Sequence, residues 1–219
     1  MPDPTLDDRA VLWSAAGDDR TGRPVLLLLH GYNSDESDLF GLAPYLPLEP
    51  VVASLRAPLP AGYGYAWFPL GAPGSLLAPE QTLARRRGAD AAVRAVLAWL
   101  DERVDARTPV GLLGFSQGGA IAIELLRARP ERFAFAAVLA GFALDDAQPG
   151  DEELARIAPP VFWGRGTADE VIPAAAVAHT QHWLPEHASL TAGIYEGVGH
   201  QISELELREL VAFLRERYA

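Results

Sequence analysis

Hydrophobic residues in this chain fall into short unbroken runs separated by stretches of helical periodicity. Runs over residues 25–30, 51–56, 110–115, 136–140 and 161–164, with weaker ones at 11–14 and 191–195, read as strands. Most are apolar at every position rather than at every second one, the pattern of strands covered on both faces. Between them, residues 37–45, 79–105, 117–128, 174–184 and 203–216 read as helices. In the longest, Val93, Val96, Leu97, Leu100 and Val104 recur at helical spacing, so that face packs on the sheet. Pro79 suits a helix entrance. Strand and helix alternation predicts an α/β fold, a mostly parallel sheet with helices on both faces, over a single domain spanning 1–219. Segment 57–78, rich in Pro and Gly and carrying Tyr63, Tyr65, Trp67 and Phe68, reads as one long loop, a length that usually serves function.

Charge and composition narrow the partners. The net charge is −11, which disfavours nucleic acid and anionic membrane surfaces. All basic residues are arginine; the absent lysine excludes Schiff-base chemistry and a Walker-type phosphate loop. No cysteine occurs, so disulfides and thiolate metal sites are excluded. The acidic start lacks the pattern of a signal peptide, and the aliphatic run over 25–29 is too short to span a bilayer. The expectation is a cytoplasmic protein without membrane insertion, its oligomeric state left open.

The stretch GFSQGG places Ser116 between Gly114 and Gly118, after a strand and before a helix. A serine there serves as a helix cap, or else stands at the apex of a tight strand-to-helix turn whose flanking positions approach too closely for a Cβ. Nucleophilic serine needs an imidazole to take its proton and a carboxylate to orient that imidazole. Asp169 follows the strand at 161–164 and His200 follows that at 191–195, giving the order Ser116, Asp169, His200. Asp145, Asp146 and Asp151, after the preceding strand, are rivals for the acid. An oxyanion needs two N–H donors: the residue after the serine, Gln117, and one from the loop after the strand at 25–30, for which Tyr32 is chosen. His30 is read as a structural histidine holding that loop. His179 and His182 lie on one helical face without the further ligand a zinc helix shows, so they read as solvated and no metal is expected. Arg85–Arg87 reads as solvated surface or ion pairs.

With these residues assembled, the chain resembles the phospholipase/carboxylesterase family of α/β-hydrolases, which includes the acyl-protein thioesterases. The carrying stretches are LLHGYNSDESDL, APLPAGYGYAWF, GFSQGGAIA, GTADEVIP and GVGH, spread from about Val25 onward. Two positions depart: Asn33 stands where many relatives carry a second glycine, and Arg56 where many carry asparagine. The resemblance implies a hydrolase without a large lid domain that cleaves carboxylic esters or thioesters with no cofactor. Ser116 is then the nucleophile, Asp169 the acid, His200 the base, and the amides of Tyr32 and Gln117 the oxyanion donors. A lactone hydrolase or peptidase on the same fold, and a non-catalytic small-molecule-binding protein, are the alternatives. For the substrate, Trp67, Phe68, Phe115 and Phe142 are expected to wall an apolar seat for uncharged short- to medium-chain acyl groups.

Overall fold

Successive leucines of one strand feed two different cores. Leu27 and Leu29 pack with Leu112, Val138 and Trp163, whereas Leu26 and Leu28 pack with Leu113, Leu139 and Phe162. This alternation places a hydrophobic layer on each face of the sheet. In the computed structural model, which describes residues 4–70 and 79–219 (backbone only for 79–81), the strands are β1 (Leu12–Trp13), β2 (Val25–Leu29), β3 (Val51–Leu55), β4 (Leu59–Ala61), β5 (Gly64–Ala66), β6 (Val110–Phe115), β7 (Phe135–Leu139), β8 (Pro160–Gly166) and β9 (Ser189–Tyr195). The helices are α1 (Glu36–Phe40), α2 (Pro79–Arg103), α3 (Gln117–Ala128), α4 (Asp151–Ile157), α5 (Ala174–His187) and α6 (Glu204–Tyr218).

The main sheet has seven strands in the order β1-β3-β2-β6-β7-β8-β9, parallel except for β1 against β3. Buried residues of α2, α3, α4 and α5 share the first core; Leu39 of α1 and Leu210, Phe213 and Leu214 of α6 share the second. Helices thus cover both faces. The stripe read on α2 is buried throughout, with Val96 and Leu100 wholly inaccessible. Among the described residues no helix is long and apolar enough to cross a membrane.

Strand order sets the position of the site. From β2 the chain moves to β3 on one side, then returns to place β6 on the other and continues outward to β9. Parallel strands bring their carboxyl ends to one edge, and the reversal between β2 and β6 opens a crevice there. The residues that enter this crevice first are His30 to Tyr32 after β2 and Ser116 after β6.

Three elements differ from the sequence expectation. The helix expected over 37–45 stops after Phe40, where Gly41 caps it, and a separate 3-10 turn containing Pro44 runs over Ala43–Tyr45. Residues 57–70 are not one irregular loop, since β4 and β5 pair as a hairpin; 71–78 lie outside the described residues. Helix α4 was not expected at all. Arg127, from α3, binds its first residue Asp151 through Nε at 2.7 Å and Nη2 at 2.8 Å, a tertiary anchor invisible to local periodicity.

Candidate active site

Ser116 occupies the turn between β6 and α3 with φ 54° and ψ −116°, a conformation that L-residues avoid. Two contacts explain why glycines flank it. A Cβ on Gly114 would stand 2.3 Å from the Gly118 carbonyl oxygen, and one on Gly118 would stand 1.9 Å from that of Leu29 in β2. The backbone of the turn is therefore pressed onto both itself and the neighbouring strand. Leu139 fixes the apex from the other side, accepting from the Ser116 N–H at 2.8 Å. Ser116 makes no cap bond to α3, so its hydroxyl is left to other partners.

That partner is His200. Its Nε2 lies 2.9 Å from Ser116 Oγ, and its Nδ1 lies 2.7 Å from Asp169 Oδ2. Asp169 spends its other oxygen on its own loop, accepting from the N–H of Val171 at 2.8 Å and of Ile172 at 3.1 Å. These bonds hold the carboxylate independently of the histidine. The side chain of Asp169 is 5% exposed and that of His200 is 17% exposed, so the pair is shielded from water except toward the serine. Because Nδ1 faces a carboxylate, it carries the proton, and Nε2 presents its lone pair to the hydroxyl. The structure thus brings the three residues into one chain of hydrogen bonds. Two of the three rival carboxylates are engaged elsewhere, Asp146 with Arg86 at 3.0 Å and Asp151 with Arg127, while Asp145 is more than half exposed and stands 3.9 Å from Arg85 Nη2.

The two amides proposed for the oxyanion come from the same crevice. Gln117 is the first residue of α3, so its N–H has no partner within the helix. Neither this N–H nor that of Tyr32 donates to any backbone or side-chain acceptor among the described residues. The loop carrying Tyr32 is held from several directions. His30 is wholly buried; its Nδ1 donates to the Gly31 carbonyl at 2.7 Å and its Nε2 accepts from the Ala57 N–H at 3.0 Å. Burial, the largest influence, lowers its pKa and keeps it neutral, as a structural histidine requires. Asn33 adopts a left-handed φ of 59° itself, and its Oδ1 accepts from the N–H groups of Tyr63 at 2.7 Å and Gly64 at 3.2 Å. A glycine there could take the same backbone but could not clamp the hairpin. Arg56 fills its departure similarly, making a two-pronged bond to Glu36 of α1 at 2.6 and 2.5 Å and lying over the Tyr65 ring.

A cavity of about 230 Å³ opens beside Ser116. Phe115 and Phe142 line it with Leu70, Val171, Ile172 and Tyr32. Leu70, Val171 and Ile172 were missed from the sequence, although the last two stand two and three residues after Asp169 and so had to lie near it. The expectation for Trp67 and Phe68 does not hold: both are wholly inaccessible and neither reaches the cavity. Trp67 N–H donates to Gln117 Oε1 at 2.8 Å, Gln117 Nε2 donates to the Phe68 carbonyl at 2.7 Å, and the Trp67 indole donates to the His30 carbonyl at 2.8 Å. These polar bonds draw both aromatics beneath the crevice floor. Of the two readings of Arg85–Arg87, ion pairs hold for the first two, which are buried: Arg85 faces Asp145 at 3.9 Å, and Arg86 pairs with Asp90, Glu124 and Asp146. His179 is half-buried rather than solvated, with its Nε2 inaccessible. Among the described residues no three His, Asp or Glu side chains gather as metal ligands.

Comparison with known proteins gives the family and the fold. The family model for phospholipase/carboxylesterase matches residues 15–217. Acyl-protein thioesterase 1 of Eremothecium gossypii is 26% identical over 217 residues, covering 87% of this chain and 86% of that one. The crystal structure of esterase PE8 is 27% identical with a TM-score of 0.74 over 97% of this chain and 99% of that one. The Bacillus cereus carboxylesterase, at 22% identity and a TM-score of 0.75 over 94% and 93% of the two chains, shares the fold. The chain belongs to the phospholipase/carboxylesterase family of α/β-hydrolases and is a carboxylic ester hydrolase of the carboxylesterase and thioesterase type.

Proposed function

We propose that the protein hydrolyses carboxylic esters, and by the same route thioesters, through an acyl-enzyme on Ser116. The observation that carries this reading is the single file of hydrogen bonds from Asp169 through His200 to Ser116. His200 Nε2 takes the hydroxyl proton as Oγ attacks the carbonyl carbon, and Asp169 stabilises the imidazolium that forms. The carbonyl oxygen, now negative, lies against the amides of Tyr32 and Gln117, whose N–H groups have no other acceptor among the described residues. His200 then gives its proton to the departing alcohol or thiol. Water repeats the sequence on the acyl-enzyme, its proton going to His200 and its oxygen to the acyl carbon. All the groups used are side chains and amides of the chain.

The acyl group lies in the cavity beside Ser116, against Phe115, Phe142, Leu70 and Ile172. Where it meets this apolar wall it is uncharged, since a bare charge would lose its hydration with no partner to replace it. The small volume suits short to medium chains. A 4-nitrophenyl ester series from acetate to decanoate tests this. Each methylene buried is worth about 0.8 kcal/mol, so kcat/KM rises about fourfold per carbon until the cavity fills, then falls. A flat profile would remove the cavity from acyl recognition.

A further inference from the structure

The β4–β5 hairpin stands beside the loop that carries the Tyr32 amide, and its outward bonds run one way. Among the described residues, every hydrogen bond that leaves the hairpin from residues 62–65 goes to Asn33, Ser34 or Arg56. Asn33 N–H donates to the Tyr65 carbonyl at 2.9 Å, and Tyr65 N–H donates to the Ser34 carbonyl at 2.8 Å. Ser34 and Tyr65 thus form an antiparallel bridge, and the loop after β2 lies along β5 like a third strand one pair long. Tyr63, at the hairpin tip, has its side chain wholly in solvent.

The Asn33 side chain draws the two segments closer than backbone pairing does. Its Oδ1 takes both N–H groups of the turn, from Tyr63 at 2.7 Å and Gly64 at 3.2 Å. The fit leaves no slack. A Cβ on Gly62 would stand 2.4 Å from Asn33 Oδ1, and one on Gly64 would stand 2.5 Å from the Ser34 carbonyl oxygen. Behind the hairpin, Arg56 lies over the Tyr65 ring and donates to its hydroxyl at 3.3 Å, while its fork binds Glu36 of α1. The hairpin is therefore fastened at its back to the helix that follows the same loop.

Tyr32 lies between two anchors. On one side the Trp67 indole holds the His30 carbonyl; on the other the hairpin holds Asn33. Neither Asn33 nor any hairpin residue lines the cavity beside Ser116, so neither acts by touching what lies in it. An N–H donor stabilises a developing oxyanion best when it is aimed before the charge appears, with no reordering left to do. We infer that the β4–β5 hairpin positions the Tyr32 donor, and that Asn33 is the positioning residue through which it acts. Both roles rest on the ester-hydrolase reading of Ser116.

Asn33→Gly keeps access to the left-handed backbone at φ 59° and removes the side-chain clamp. Deleting an oxyanion donor outright costs about a hundred- to a thousandfold in kcat; loosening one is expected to cost about tenfold on 4-nitrophenyl butanoate. Acylation and deacylation both pass through an oxyanion, so KM should change less than about twofold. Affinity for a trifluoromethyl ketone, which forms a tetrahedral oxyanion on Ser116, falls by the same factor as kcat. A role in stability alone would lower Tm and leave kcat and inhibitor affinity in place. Arg56→Gln frees the hairpin from α1 without altering the loop; it gives a smaller loss of the same kind and serves where Asn33→Gly does not fold. Wild-type kcat and inhibitor affinity in folded Asn33→Gly, or a loss confined to KM, would overturn the hairpin's role while leaving the ester reading intact. No turnover of the ester or its thioester counterpart by the wild-type protein would overturn that reading and this inference with it.

Discussion

The Trp67 indole donates from Nε1 to the carbonyl oxygen of His30 across 2.8 Å, tying a residue after β5 to the loop that carries the Tyr32 amide. The backbone N–H of the same tryptophan is held by Gln117, the other amide donor proposed for the oxyanion. One buried residue, through its indole and its backbone N–H, therefore ties together the two segments that carry the donors.

Trp67→Phe keeps the ring's bulk and deletes the indole bond, leaving the wholly buried His30 carbonyl without that partner. An orphaned buried acceptor costs about 1–3 kcal/mol. The variant is expected to lose about tenfold in kcat, with some loss of Tm, and to keep the wild-type ester chain-length profile. An unchanged kcat with a shifted chain-length optimum would return Trp67 to the acyl wall.

Asp169→Asn offers His200 Nδ1 an amide in place of a carboxylate and no longer stabilises the imidazolium. A fall in kcat of about 10⁴-fold is expected, as for other triads of this type. Asp151→Asn weakens the anchor on Arg127 and Asp146→Asn the one on Arg86, so both should lower Tm while kcat stays near wild type. Steady-state kinetics and thermal melts on the three variants decide it. An active Asp169→Asn beside an inactive Asp146→Asn would reassign the acid.

Much of the scaffold and the grouping of the site could be read from the sequence because the signals are local. Val25–Leu29 and Val110–Phe115 are apolar throughout since both faces of the sheet are covered, and parallel strands force the residues after them to one edge. Ser116, Asp169 and His200 each follow a parallel strand of that sheet. What could not be read depends on partners distant in sequence. Helix α4 is anchored by Arg127, 24 residues before Asp151. Trp67 was drawn under the crevice by Gln117 and His30, 50 and 37 residues away, while its own neighbourhood suggested only an aromatic loop. Arg86 reads as solvated or ion-paired from its neighbours, and only the fold, by setting Glu124 and Asp146 against it, buries it.

Glu206 ties the histidine loop to α6 through a reciprocal cap with Ser203, yet its Oε1 is buried without a partner among the described residues. Burial, helped by Glu209, pushes its carboxyl up to about 7 from an ordinary 4.5. The folded state thus holds a proton that the unfolded chain releases, so stability declines as pH rises from about 4.5 to 7 and levels off above that. Glu206→Gln titrates in neither state. Its advantage in urea denaturation is expected to be near zero at pH 4.5 and to grow to at most about 3 kcal/mol by pH 8. An advantage that does not change with pH would show that the carboxyl ionises normally.

The central claim is that Ser116 is the nucleophile, activated by His200. Treating the protein with a fluorophosphonate ester and mapping the adduct by peptide mass spectrometry tests it most directly. One phosphonyl group per chain is expected on Ser116, with esterase activity lost in proportion, and labelling abolished in Ser116→Ala and slowed by orders of magnitude in His200→Ala. Stoichiometric labelling of another serine, or full esterase activity in Ser116→Ala, would contradict it.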